Sequence, residues 1–234
     1  MKDIKNIFYY LILSILAIIL ILIMVFLTPT TNNTIFLVDK LFLAVAFFTS
    51  CIFGISIAIY PNWWRKNKAE INHISGLQSF KKIKSFKGHH PDCNMFKSHI
   101  IIIKNKPRCA GCLGLIIGAL ASIFLITLYI VIPIKFFIYT YYILLILGIL
   151  MIIFIYAEII LLKRRMVFHI LLNSLLVISF FFITISVVEL TENLIYGILT
   201  IILCFLLLDT RIHFSKYQHK RICASCKQSC KSFF

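Results

Sequence analysis

Carboxylates are scarce in this chain. Eight Asp and Glu stand against 24 Lys and Arg among 234 residues, and only 14% of positions carry charge. A soluble domain has about a quarter of its residues charged, so this scarcity excludes an ordinary water-exposed surface. Familiar catalytic signatures are absent as well: there is no glycine-rich phosphate loop, no nucleophile elbow and no His-Glu-x-x-His. The strict apolar–polar alternation of membrane barrel strands is missing too.

What the chain has in excess is apolar sequence, 61% of residues with a mean hydropathy of +0.99. It falls into six blocks: Ile7–Leu27, Lys40–Tyr60, Leu113–Ile134, Phe136–Leu162, Val167–Val188 and Leu194–Leu208. These are close to the roughly 20 residues that a helix needs to cross a bilayer. Helices are the expected element, because backbone groups in lipid must be satisfied within each span. The predicted fold is an all-α membrane protein, a six-helix transmembrane bundle with a small cytoplasmic Cys/His-rich cap. Two spans fall in 1–60, a basic loop with a Cys/His cluster in 61–112, four spans in 113–208 and a cysteine-rich tail in 209–234. The sixth block is short and is expected to run on to Ile212, with Asp209 and Arg211 reaching into the headgroups. The first block is too long for a signal sequence and ends in Thr28-Pro29-Thr30 without a small-x-small cleavage pattern, so a retained helix is expected.

Charge placement orients the bundle. Two basic residues precede the first block, eleven lie in Pro61–Cys112, three form Lys163-Arg164-Arg165 and six follow Asp209. That puts 22 of 24 on one side and leaves Lys40 and Lys135 for the other. The positive-inside bias then predicts a multi-pass protein of the inner or plasma membrane with both termini in the cytoplasm. The net charge of +16 is accounted for by loops beside an anionic leaflet. The expected partner is therefore the lipid bilayer, with a cytoplasmic protein added and no nucleic acid.

The cysteines carry the chemistry. Cys109–Cys112 stands just before the third block, and Cys223–Cys226 lies in the tail. On the predicted topology both face a compartment where thiols stay reduced and Cys clusters usually bind metal. Two cysteines two residues apart can turn both sulfurs to one ion. His90 and Cys93 in the loop and His219 and Cys230 in the tail are added candidate ligands. Two arrangements fit. Cys109, Cys112, Cys223 and Cys226 share one ion and staple loop to tail, or loop and tail each bind their own. Zinc is the expected metal and an iron–sulfur cluster the alternative. Cys109–Cys112 also stands at a helix N-terminus, where a dithiol redox site is possible, although no thioredoxin-like strand–helix pattern surrounds it. Cys51 and Cys204 lie within spans and read as packing. Before the pair, Ser98–Ile103 reads as a strand and Lys104–Pro107 as a turn.

The spans offer little else. Glu158 is the one carboxylate well inside a block, and pairing with Lys163-Arg164-Arg165 at the interface is its expected role. Asn173 and Ser174, near His169, read as interhelical hydrogen-bonding residues. Gly114-x-x-x-Gly118 with Ala119, Ala121 and Ser122 gives the third helix a smooth side for close packing.

His90, Cys93 and above all Arg108-Cys109-Ala110-Gly111-Cys112-Leu113-Gly114-Leu115-Ile116-Ile117-Gly118 resemble a family of prokaryotic membrane proteins, the domain-of-unknown-function 2085 type. In that family a Cys-x-x-Cys followed by a second glycine opens a membrane helix. The resemblance implies that architecture and no particular activity. The Asp-His-His-Cys motif of protein acyltransferases is not met, since the order here is His89-His90-Pro91-Asp92-Cys93. The expected function is a membrane protein whose metal-bound cap serves assembly or partner binding. The alternative is a membrane redox protein or a metal-dependent membrane enzyme.

Overall fold

In the computed structural model of the protein, residues 2–28, 36–59, 100–103, 106–132, 137–160 and 166–225 are described. The element order is α1 (Lys2–Leu27), α2 (Leu37–Ile59), β1 (Ile100–Ile103), β2 (Lys106–Cys109), α3 (Ala110–Val131), α4 (Ile138–Ile160), α5 (Met166–Thr191) and α6 (Leu194–Ser225). Among the described residues, six helices are long and apolar enough to cross a membrane. They coincide with the six expected blocks, and the chain is a multi-pass membrane bundle. α1, α3 and α5 begin at the end of the bundle that carries the β-hairpin, here called the basic end. The turn into α6 is tight: Glu192 takes a left-handed φ of 51°, and Asn193 Oδ1 accepts the Ile195 amide at 2.9 Å, capping the helix.

The helix α5 is the centre of the bundle. Of its most apolar window 67% is buried, against 22% for α2, and it packs on α3, α4, α6 and α1. In lipid, helices associate through close packing and hydrogen bonds rather than hydrophobic transfer. The α3 surface against α5 is accordingly built from Gly111, Gly114, Gly118, Ala119 and Ser122, the glycine pair that the sequence marked included. A Cβ at Gly118 would stand 2.5 Å from the Ser174 carbonyl oxygen, and one at Gly114 would stand 2.7 Å from Asn173 Cβ. Ser174 Oγ donates to the Gly114 carbonyl at 2.9 Å, as expected of an interhelical hydroxyl. Gly54 on α2 has nothing within 4 Å of its missing Cβ, which fits a lipid-facing position.

A second polar seam binds α1, α4 and α6. Ser14 donates to Thr210 Oγ1 at 2.8 Å, and the Tyr156 hydroxyl donates to the Leu207 carbonyl at 2.6 Å. The Tyr10 ring stacks on His213 with centroids 3.7 Å apart. At the end opposite the hairpin, Lys40 Nζ lies 2.6 Å from Glu189 Oε1. The Tyr129 hydroxyl donates to that same oxygen, and the Lys40 ammonium sits 4.8 Å from the Tyr129 ring centroid. One carboxylate thereby ties α2, α3 and α5 together.

The structure departs from the sequence reading at the basic end. β1 lies where a strand was expected, but Lys106–Cys109, read as a turn and the start of the cysteine motif, forms a second strand. The pairing is antiparallel, with Ile100 opposite Cys109 and Ile102 opposite Pro107. A two-stranded ribbon has only edges, so a proline is tolerated there. α3 starts at Ala110 rather than Leu113. α6 does not stop near Ile212 but runs 32 residues to Ser225, about 48 Å at 1.5 Å per residue. Arg211, expected among the headgroups, is 7% exposed and turned toward the first turn of α3. Glu158 is buried at 7% exposure. Its expected partners, 163–165, lie outside the described residues. Of the segments expected to form the cap, the hairpin and the helical course of α6 to Ser225 are described, and no Cys/His cluster is seen among the described residues. Cys93, His90, Cys226 and Cys230 lie outside the described residues, as do the side chains of His219 and Cys223.

Candidate functional site

The hairpin and α3 share a residue, and that junction builds the site. Cys109 ends β2 and serves as the N-cap of α3, with extended φ −71° and ψ 123° and no side-chain capping bond to the helix. Cys112 follows three residues later, so the first turn brings it back to the same side. The two side chains are close enough to act on one another. Neither is in a disulfide and both are partly exposed. The geometry expected of a Cys-x-x-Cys pair is therefore present, two sulfurs together at the open rim of the bundle.

A polar cluster from α5 and α6 lies directly beneath. A Cβ built on Gly111, between the two cysteines, would stand 3.0 Å from His169 Nε2, 3.5 Å from Asn173 Nδ2 and 3.7 Å from an Arg211 guanidinium nitrogen. Glycine at 111 is what lets these groups approach the helix backbone. His169, Asn173 and Arg211 are 4%, 1% and 7% exposed. The Arg211 charge acts on Cys112 across this contact. Asn173 Nδ2 donates to the His169 carbonyl within α5, a local bond rather than the interhelical one expected, while its Oδ1 is buried without a hydrogen-bond partner.

Sequence reasoning found the cysteine pair and missed its floor. Arg211 was assigned to the headgroups, and His169 and Asn173 were treated only as helix-packing residues. The available signal was an arginine, and a histidine four residues before an asparagine, inside otherwise apolar blocks. Such intramembrane polar groups are costly and mark functional positions.

Of the predicted metal ligands, Cys109 and Cys112 are brought together. Among the described residues no group of three or more His, Cys, Asp or Glu is placed to hold a metal ion. The remaining candidates, Cys93, Cys223, Cys226, Cys230, His90 and His219, stand outside what is described of the side chains, so a full ligand set would draw on them. On the backbone, His219 and Cys223 are one helical turn apart near the end of α6. Cys51 and Cys204 are buried within the helices, as expected of packing residues.

No protein-family model, curated protein or solved structure matches the chain.

Proposed function

We propose that this is a multi-pass membrane protein whose basic end carries a metal-bound cap, with zinc as the metal. The cap would order the connecting segments for assembly or for docking a cytoplasmic protein. The single observation that carries this reading is the Cys109–Cys112 pair: two thiols outside any disulfide, on the N-cap and first turn of one helix at its junction with a hairpin. Donors of this type and spacing supply half of a tetrahedral zinc site. The buried guanidinium of Arg211 would offset part of the thiolate charge there, with Arg108 adding to it.

The course of α6 bears on where the other ligands come from. Arg211 is level with the first turn of α3, and the helix then carries Cys223 twelve residues further. That is a rise of about 18 Å. This separation favours two local sites over one shared ion. His90 and Cys93 would complete the loop site with Cys109 and Cys112. His219, Cys223, Cys226 and Cys230 would form the tail site. The basic asymmetry of the loops supports a cytoplasmic placement of both in the inner or plasma membrane.

A second reading is a dithiol redox site, favoured by the position of the pair at the N-terminus of α3. Cobalt substitution separates the two. Protein purified without air and loaded with Co(II) should show sulfur-to-cobalt charge-transfer absorption that Cys109→Ser and Cys112→Ser each diminish. No such absorption, together with ready formation of a Cys109–Cys112 disulfide by mild oxidant, would favour the redox site.

A further inference from the structure

The hairpin itself presents a surface that the metal reading does not explain. The strands pair Ile100 with Cys109, Ile101 with Arg108 and Ile102 with Pro107, a register that puts Ile102 and Cys109 on one face of the ribbon and Ile101 and Arg108 on the other. Ile102 is 73% exposed within the protein, and Arg108 is exposed on the opposite face. One side of the ribbon is therefore uncharged and largely apolar, and the other pairs isoleucine with a cation.

Such a ribbon is poorly suited to water. A two-stranded hairpin is marginal on its own, and an isoleucine left in water forgoes the gain of burying its side chain. Its position offers a remedy. Cys109 is the last residue of β2, and the membrane-crossing stretch of α3 begins at the next residue, Ala110. No linker separates the ribbon from the bilayer surface. Lying flat, it fits the interfacial layer, with its apolar face toward the acyl boundary and its outer cations within range of the negative surface potential.

We propose that the β1–β2 ribbon is a membrane-surface element that lies on anionic lipid headgroups with Ile102 inserted toward the acyl chains. Arg108 on the ribbon supplies the charge complement, with Lys104 and Lys106 beside it in the sequence. Cys109 shares the membrane-directed face with Ile102, so the lipid surface forms one wall of the thiol pair. The inference stands whether or not that pair binds metal.

Two measurements test it. The chain has two tryptophans, so Ile102→Trp and Arg108→Trp are made separately in a Trp63→Phe, Trp64→Phe background. Each is reconstituted in phosphatidylglycerol-containing vesicles with brominated acyl chains. Brominated lipid should quench Ile102→Trp several times more strongly than Arg108→Trp, and aqueous iodide should show the reverse order. Iodide quenching of Ile102→Trp without quenching by brominated lipid overturns the proposal, because the ribbon then stands in water. The wild-type chain supplies the second reading, independent of the substitutions. Amides of Ile101–Ile103 should exchange with deuterium roughly tenfold more slowly in anionic than in zwitterionic nanodiscs. Equal rates in the two lipids would mean that something other than anionic headgroups covers the ribbon, and would also overturn it.

Discussion

At one end of the α3–α5 pair, Lys40 meets Glu189 at 2.6 Å and Tyr129 donates to the same carboxylate oxygen. At the other, His169, Asn173 and Arg211 crowd beneath a first helical turn that carries two thiols. Both ends place charge inside a membrane bundle, and they use it differently. The Lys40–Glu189–Tyr129 group matches cation to anion across three helices, and nothing reactive is left over; it is a clasp. The basic end brings two cations or potential cations and an amide up to a pair of soft, partly exposed sulfurs. There the polar groups support a reactive surface rather than only one another. A charge buried for structure is matched by its neighbours, whereas a charge buried beside nucleophilic or metal-binding atoms has chemistry to serve.

The comparison can be broken most forcefully through the helix contact that joins the two ends. Gly118→Leu places carbon where the Ser174 carbonyl oxygen already stands 2.5 Å away. It should cost about 3 kcal/mol or prevent folding. Gly54→Leu, with open space around it, should leave the thermal transition in detergent almost unmoved. Equal effects at the two glycines would refute the close α3–α5 approach.

Matched substitutions on α5 sharpen the contrast between clasp and site. Glu189→Leu strands the Lys40 ammonium and should cost about 1–2 kcal/mol, with the Lys40→Met, Glu189→Leu double variant losing less than the two single losses combined. Asn173→Leu, at the other end of the same helix, deletes a carbonyl oxygen that has no partner. It should cost under about 1 kcal/mol. Thermal unfolding of the four proteins in one detergent checks both statements, and a larger loss at Asn173 than at Glu189 reverses the assignment of roles.

The smallest loss expected within the α3–α5 contact is that of Ser174→Ala. It removes a hydroxyl that bonds both the Gly114 carbonyl at 2.9 Å and its own helix at 3.0 Å. Interhelical bonds of this type contribute about 0.6 kcal/mol, so a shift of one or two degrees in the thermal midpoint is expected. A loss several times larger would mean that this bond, rather than the glycine contact, holds α3 to α5.

Much of this was legible in the sequence, for identifiable reasons. The six spans follow from apolar block length, and the smooth side of α3 follows from glycines four residues apart. The strand at Ile100–Ile103 follows from a β-branched run, and the cysteine pair from its spacing. Each signal is local. The floor of the site was not legible, because it depends on which helices pack together: nothing in Arg211 alone says that it lies beneath Gly111. β2 was hidden by Pro107, which reads as a turn unless the strand is known to be an edge. The length of α6 was hidden because its last turns, from His213 onward, carry the polar composition of a tail while keeping helical backbone. Lys40 and Glu189 were visible as rare charges near the opposite loops, but their pairing joins positions 149 residues apart.

The central claim is that the thiol pair of the basic end holds metal. It is tested most directly by metal stoichiometry on protein purified without air: wild type, the Cys109→Ser, Cys112→Ser double variant, and a chain ending at Tyr217. The account predicts two zinc ions in the wild type, one after the loss of the pair, and one after the loss of the tail. A single ion that vanishes in both variants would replace the two local sites with one shared site. Metal-free wild type from the anaerobic preparation would contradict the claim itself.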